Sequence, residues 1–315
     1  MDIILQSLQG VFVVIAVVAL GYVLSVRGWI TDTIAPILVK LVTFVSLPIY
    51  LWYGMYKNFS KDSMMTLVSE LAVPALSILI AFVIGGIIVY VFNVRKDRRG
   101  IVWTNAFTAN TIFIGLPVNV ALFGEASMPS VMLYYMANTT FFWTIGTYLI
   151  QQSGSRGETE GISIFRALRK LISPPLMGFL VGLATVLFAI PIPKFVTSTA
   201  QMVGAMTTPL ALMYIGYEIS KVSLDELKLD KDMMLGIIGR FLICPACILI
   251  LLPFFAVSDM SRQVFIIQGA MPAMTLMTIM AKSYDADSQF AATLSFATIL
   301  LSLVLIPLYM YLISA

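Results

Sequence analysis

The sequence predicts an all-α membrane protein of ten transmembrane helices, arranged as two inverted five-helix repeats. Three observations carry that prediction. The 315 residues are 60% hydrophobic and only 11% charged, against roughly 25% charged in soluble proteins. Apolar runs long enough to cross a bilayer recur along the whole chain, with mean hydropathy +0.97. Two of those runs are interrupted by Gly and Pro in corresponding positions of the two halves.

The spans fall near 7–26, 34–55, 67–92, 101–123, 128–151, 172–190, 196–219, 233–256, 262–282 and 287–313. The first lacks a basic leader and a small-residue cleavage site, so it is expected to be a retained helix. The longest polar stretch, Gln151 to Gly161, separates the fifth span from the sixth. It carries Ser153-Gly154-Ser155-Arg156-Gly157, the composition of a flexible linker. After it, Ile164–Leu171 places Arg166, Arg169 and Lys170 on an amphipathic turn suited to the bilayer interface. The expected organisation is therefore a first repeat over 1–151, a linker over 152–171 and a second repeat over 172–315.

Basic residues orient the bundle. With the N-terminus outside, 13 Lys and Arg occupy cytoplasmic loops and 4 occupy outside loops, leaving Lys40 and Arg240 within spans. Both termini then face out and the linker faces the cytoplasm. An odd number of spans per half requires the halves to be inverted. Internal similarity agrees: Pro48-Ile49-Tyr50-Leu51-Trp52-Tyr53 in the second span matches Pro209-Leu210-Ala211-Leu212-Met213-Tyr214 in the seventh.

The fourth span breaks at Asn110-Thr111-Ile112-Phe113-Ile114-Gly115-Leu116-Pro117 and the ninth at Gln268-Gly269-Ala270-Met271-Pro272. Gly ends helices readily and Pro begins them well. Inside lipid such a break survives only where protein or a water-lined cavity satisfies the freed backbone. A matched pair of broken segments points to the midplane site of a secondary transporter. A channel would show a ring of like charges or a repeated filter, and the sequence has neither. An enzyme would need a catalytic constellation, and with no His residue and no clustered carboxylates none is legible.

The pattern N-x-x-F-x-G-x-P-x-x-x-x-x-F-G, from Asn110 to Gly124, resembles the fourth-helix signature of the auxin efflux carrier family, which includes plant PIN carriers and bacterial malate or malonate permeases. Arg240 with Cys244-Pro245, and Gly269 to Pro272, are similar to that family's eighth and ninth helices. The resemblance covers the full length. It implies a scaffold of spans 1, 2, 6 and 7, a transport domain of spans 3–5 and 8–10, and substrate binding where spans 4 and 9 cross. Elevator-type alternating access in a bacterial cytoplasmic membrane is the corresponding expectation. The short linker departs from the long-loop plant carriers and suits a prokaryotic member.

At such a crossing Pro117 and Pro272 are expected to start the second half-helices, turning two positive helix ends toward the middle of the membrane. Helix N-termini carry about half a positive charge and present N–H donors, so the expected substrate is a small organic anion of the malate or malonate class. An auxin-like aromatic monocarboxylate is the alternative. The candidate binding residues are Asn105, Asn110, Gly115, Pro117, Asn138, Gln268, Gly269, Pro272, Thr275 and Arg240. Buried amides cost several kcal/mol unless hydrogen-bonded, so each faces protein, cavity or substrate. Arg240 could clamp a carboxylate or snorkel to the interface. Glu70 and Glu218, near span ends, are expected at the interface. Cys244-Pro245-Ala246-Cys247 has redox spacing but lies within an apolar helix, so no redox or metal role and no cofactor is expected. The GxxxG from Gly178 to Gly182 serves either packing within the chain or a homodimer. The remaining partner is the lipid bilayer, and the small net charge of +3 gives no nucleic-acid affinity.

Overall fold

The computed structural model describes residues 2–60, 69–155, 173–221 and 229–314, and among them every regular element is helical. Most of the linker, with the turn at Ile164–Leu171, lies outside the described residues. The helices are α1 (Asp2–Val26), α2 (Ala35–Asn58), α3 (Ala72–Val91), α4 (Lys96–Phe107) and α5 (Gly115–Phe123). Helix α6 runs from Met128–Phe141 through a π turn at Phe142–Gly146 into Thr147–Ser153. Then come α7 (Pro174–Leu187), α8 (Lys194–Gly204), α9 (Thr207–Lys221), α10 (Lys231–Phe254), α11 (Asp259–Gly269), α12 (Leu276–Ser283) and α13 (Ser288–Ser314).

Four of these helices, in α2, α3, α10 and α13, are long and apolar enough to cross a membrane unaided. The predicted fourth and ninth spans instead come as pairs of short pieces. At 1.5 Å per residue, the 12 residues of α4 rise about 18 Å, well short of a hydrocarbon core of about 30 Å. The 11 residues of α11 are likewise too short to cross alone.

The chain divides into two compact units, and neither is a sequential half. Unit 1 comprises Met1–Ser69, Ile112–Leu133 and Ile172–Lys221; unit 2 comprises Glu70–Thr111, Tyr134–Leu171 and Val222–Ala315. The second piece of the fourth span, α5, belongs to unit 1, a finer division than the family resemblance implies.

Unit 1 is built on helix pairs brought together at glycines. A Cβ on Gly21 of α1 would collide with the backbone of Met213 in α9, and one on Gly216 with the carbonyl of Val18. Between the same helices the Ser25 and Ser220 hydroxyls hydrogen-bond at 2.6 Å. The GxxxG of α7 faces α2: Gly178 lies against the backbone of Pro48, and Gly182 against Trp52 and Met55. Trp52 Nε1 donates to Thr185 Oγ1 at 3.2 Å along this contact. The motif therefore packs within the chain.

Unit 2 has an apolar core of Val89, Ile101, Val102, Phe142, Ile150, Met277, Phe290 and Leu294, drawn from α3, α4, α6, α12 and α13. Helix α4 meets α6 at Gly100, whose N–H donates to Ser153 Oγ at 2.7 Å, and α3 at Trp103, whose Nε1 donates to Phe82 O at 2.7 Å. At one end of the unit, Arg98 ties three helix starts together. It pairs with Asp230 at 2.6 Å and Asp287 at 2.7 Å, and its guanidinium lies 4.4 Å from the Phe290 ring centre. The two aspartates in turn cap α10 and α13 through Met233 N and Phe290 N, each at 2.9 Å. Near α11, Glu70 is only 1% exposed, where the sequence suggested an interfacial position. Its carboxylate accepts from Ser258 N at 2.8 Å and from Ser261 Oγ, holding the first turn of α11.

Candidate binding site at the two helix breaks

Helix α4 stops at Phe107 and α11 stops at Gly269, and the backbone beyond each end is non-helical: 108–114 in the first case, 270–275 in the second. The two irregular stretches meet at Asn110, Pro272 and Thr275, all in unit 2. Asn110 N donates to Pro272 O at 2.9 Å, and Asn110 Nδ2 donates to Thr275 Oγ1 at 3.1 Å. Unpaired peptide groups are costly in hydrocarbon, and here each break supplies partners for the other.

Pro272 stands elsewhere than expected. Pro272 lies inside the unwound stretch, four residues before α12 begins at Leu276, with Thr275 at the cap position. Pro117 is the third residue of α5, within its first turn, since the helix begins at Gly115. Pro suits a helix start, but it equally suits extended backbone whose N–H is not needed. The rung from Asn110 to Pro272 uses the proline's carbonyl, which favours the second environment. Gly115 and Pro117 belong to unit 1, where the Gly115 carbonyl accepts from Asn119 Nδ2 at 2.7 Å.

The other sequence candidates surround the breaks of unit 2 and brace them. Asn138, wholly buried, uses both ends of its amide on one residue: Oδ1 accepts from Ala109 N at 2.8 Å, and Nδ2 donates to Ala109 O at 3.0 Å. Gln268 Nε2 donates to Thr111 O at 3.2 Å, so α11 reaches across to the first break. Asn105 Nδ2 donates to Gly236 O of α10 at 2.8 Å. Thr298 of α13, which no sequence signal singled out, accepts from Ala273 N at 3.1 Å. A threonine in an apolar helix is too common to have been picked by pattern.

Arg240 does not snorkel. It is 0% exposed, and its guanidinium donates to three backbone carbonyls: Nη1 to Asn105 at 3.2 Å and to Thr108, and Nη2 to Gly269 at 2.6 Å. These carbonyls close α4 and α11. Arg240 leaves α10 from a π turn, Gly239–Ile243, where Cys244 N bonds Gly239 O. Among the described residues no carboxylate pairs with it. Cys244 and Cys247 are buried free thiols, Cys244 lying 3.4 Å from the Tyr134 hydroxyl. The half-buried Thr275 and its partner Asn110 are left as the pair at the start of α12.

Comparison with known proteins gives the family. The family described as membrane transport protein matches residues 7–310. The chain belongs to the membrane transport protein family. This is the auxin efflux carrier-like family that the Asn110 to Gly124 pattern resembles. An uncharacterized transporter of Methanocaldococcus jannaschii is 24% identical over 311 residues, covering 95% of this chain and 96% of the relative. One of Methanothermobacter thermautotrophicus is 26% identical over 307 residues, covering 96% and 97%. Membership of the membrane transport protein family, with the apolar helices, makes the chain a multi-pass membrane transporter rather than an enzyme.

Proposed function

We propose that this transporter carries small organic anions, malate- or malonate-like carboxylates, across the cytoplasmic membrane. The observation that carries the reading is the pair of helix breaks, stitched by the Asn110–Pro272 backbone bond and by the Asn110–Thr275 side-chain pair. In this reading Asn110 and Thr275 meet the substrate carboxylate beside the N-terminal end of α12, where the helix dipole favours negative charge. Asn105, Asn138, Gln268, Gly269, Pro272 and Arg240 set the backbone shape that presents them. Ten spans in two inverted repeats, both termini outside, and elevator-type alternating access complete the proposal. The division into two compact units, each drawing on both halves, supports the last of these.

Proteoliposome uptake of labelled malate, malonate and an aromatic monocarboxylate tests the substrate class, with neutral amides and esters of the same acids as competitors. A charge-assisted hydrogen bond is worth about 1.5–3 kcal/mol, so neutral analogues should compete about 10- to 150-fold more weakly. Equal competition by neutral analogues overturns the anion site. Uptake of the aromatic acid alone transfers the reading to an auxin-like substrate.

A further inference from the structure

The three carbonyls that Arg240 ties together lie at the C-terminal ends of two broken half-helices, Asn105 and Thr108 on α4 and Gly269 on α11. A helix C-terminus carries about half a negative charge, so two such ends amount to about one, and one guanidinium balances them. No carboxylate among the described residues shares that task. Two further buried oxygens, Asn105 Oδ1 and Gln268 Oε1, belong to the same helix ends and have no hydrogen-bond partner. Unwound carbonyls and half-helix C-termini are the groups with which secondary transporters hold a coupling sodium ion or proton.

We infer that Arg240 is a tethered cation. It occupies, from within the chain, the place that a free monovalent cation would otherwise take at the crossing of the two breaks. The fold is then complete without sodium, and transport needs none. A covalently held charge cannot leave with the substrate, so the wild-type protein gains no driving force from a sodium gradient through these carbonyls. Removing the guanidinium uncovers a ligand set of neutral oxygens, Asn105 O, Thr108 O and Gly269 O with the two amide oxygens beside them. The inference deepens the proposed transport function and rests on the same pair of breaks.

The test is thermal unfolding of purified protein in detergent, with sodium, lithium, potassium or choline chloride at equal ionic strength. Wild-type protein should unfold at the same temperature in all four. Arg240→Ala should unfold earlier in choline and be restored, saturably, by sodium, lithium or millimolar methylguanidinium. Arg240→Lys should keep the indifference of the wild type. Sodium-specific stabilisation of the wild type overturns the inference, as does an Arg240→Met variant as stable in choline as the wild type. Should Arg240→Ala fail to fold in every salt, the wild-type series still decides. No substrate enters this measurement. Failure of every carboxylate in the uptake panel would remove the proposed substrate and leave the cation result standing.

Discussion

The backbone N–H of Asn110 donates to the carbonyl of Pro272 at 2.9 Å, and this one bond joins the two places where helices of unit 2 come undone. Each break would be expensive alone in hydrocarbon, because an unwound stretch exposes peptide groups with no water to bind. Together they satisfy one another, and side chains of Asn138, Gln268 and Thr298 take up further groups. The irregular backbone is thus hydrogen-bonded from several sides.

Proline substitution should therefore act on transport before it acts on folding. Pro272→Ala restores an N–H and frees the φ angle at the rung, allowing α11 to extend. Uptake in proteoliposomes should fall sharply while the variant still elutes as a monodisperse species in detergent. Normal uptake would mean that the unwound shape is dispensable.

Asn138→Ala tests the brace. It removes two hydrogen bonds and leaves the N–H of Ala109 buried without a partner, at a cost of about 1–3 kcal/mol, while the Ala109 carbonyl keeps the Thr111 N–H. The melting temperature should drop clearly. Asn138→Asp keeps only the acceptor and should not rescue it. Asn110→Ala, which leaves the backbone rung intact, should instead keep most of the stability and weaken anion binding by about 10- to 150-fold.

In unit 1 the sensitive position is Gly178. Overpacking usually costs about 1–3 kcal/mol, and here the obstacle is the backbone of Pro48, which cannot swing aside. Gly178→Val should reduce the yield of folded protein in detergent. Unchanged yield and melting temperature would show that α7 and α2 do not meet at this glycine.

Acid should loosen unit 2 through Asp230. Partial burial acts to raise its pKa, but the Met233 N–H and the Arg98 guanidinium outweigh it and hold the carboxyl below its ordinary value of 3.8. A depressed folded-state pKa gives stability that is full above the ordinary value and lost as pH falls through the folded one. The melting temperature should be level across neutral pH and decline below about pH 4. Arg98→Gln should be less stable at neutral pH and show a shallower acid decline.

Orientation is open to a direct check. Cysteines replacing Ser155 and Ser258, both exposed, in a background lacking Cys244 and Cys247 should label from opposite sides of the membrane, Ser155 from the cytoplasm. Labelling of both from one side would refute the arrangement read from the basic loops.

Much of this was legible in the residues. Gly and Pro punctuation located both breaks, because those residues act on the local backbone whatever surrounds it. The position of Pro272 within its break was not legible, since the bond to Asn110 that favours it comes from a distant segment. Depth along an apolar helix gave the cost of Arg240 but not its partners, which are backbone carbonyls and leave no mark on composition. The GxxxG of α7 announced close packing, while its partner, α2, is a fact of three-dimensional pairing. Glu70 looked interfacial because a span end is the usual place for a carboxylate, yet the start of α11 covers it.

The π turns at Val42–Ser46, Phe142–Gly146 and Gly239–Ile243 bear on how this chain tolerates changes of length. A π turn is a helix that has taken in one surplus residue without unwinding. Deleting one residue there returns a regular α-helix and leaves the faces on either side in their old alignment. Deletion anywhere else in the same helix turns one end against the other by about 100°. These helices therefore each contain one short window where the sequence can lose a residue and keep its fold. In α10 that window includes Arg240, so the tolerant stretch is also the one from which the guanidinium reaches the two helix ends.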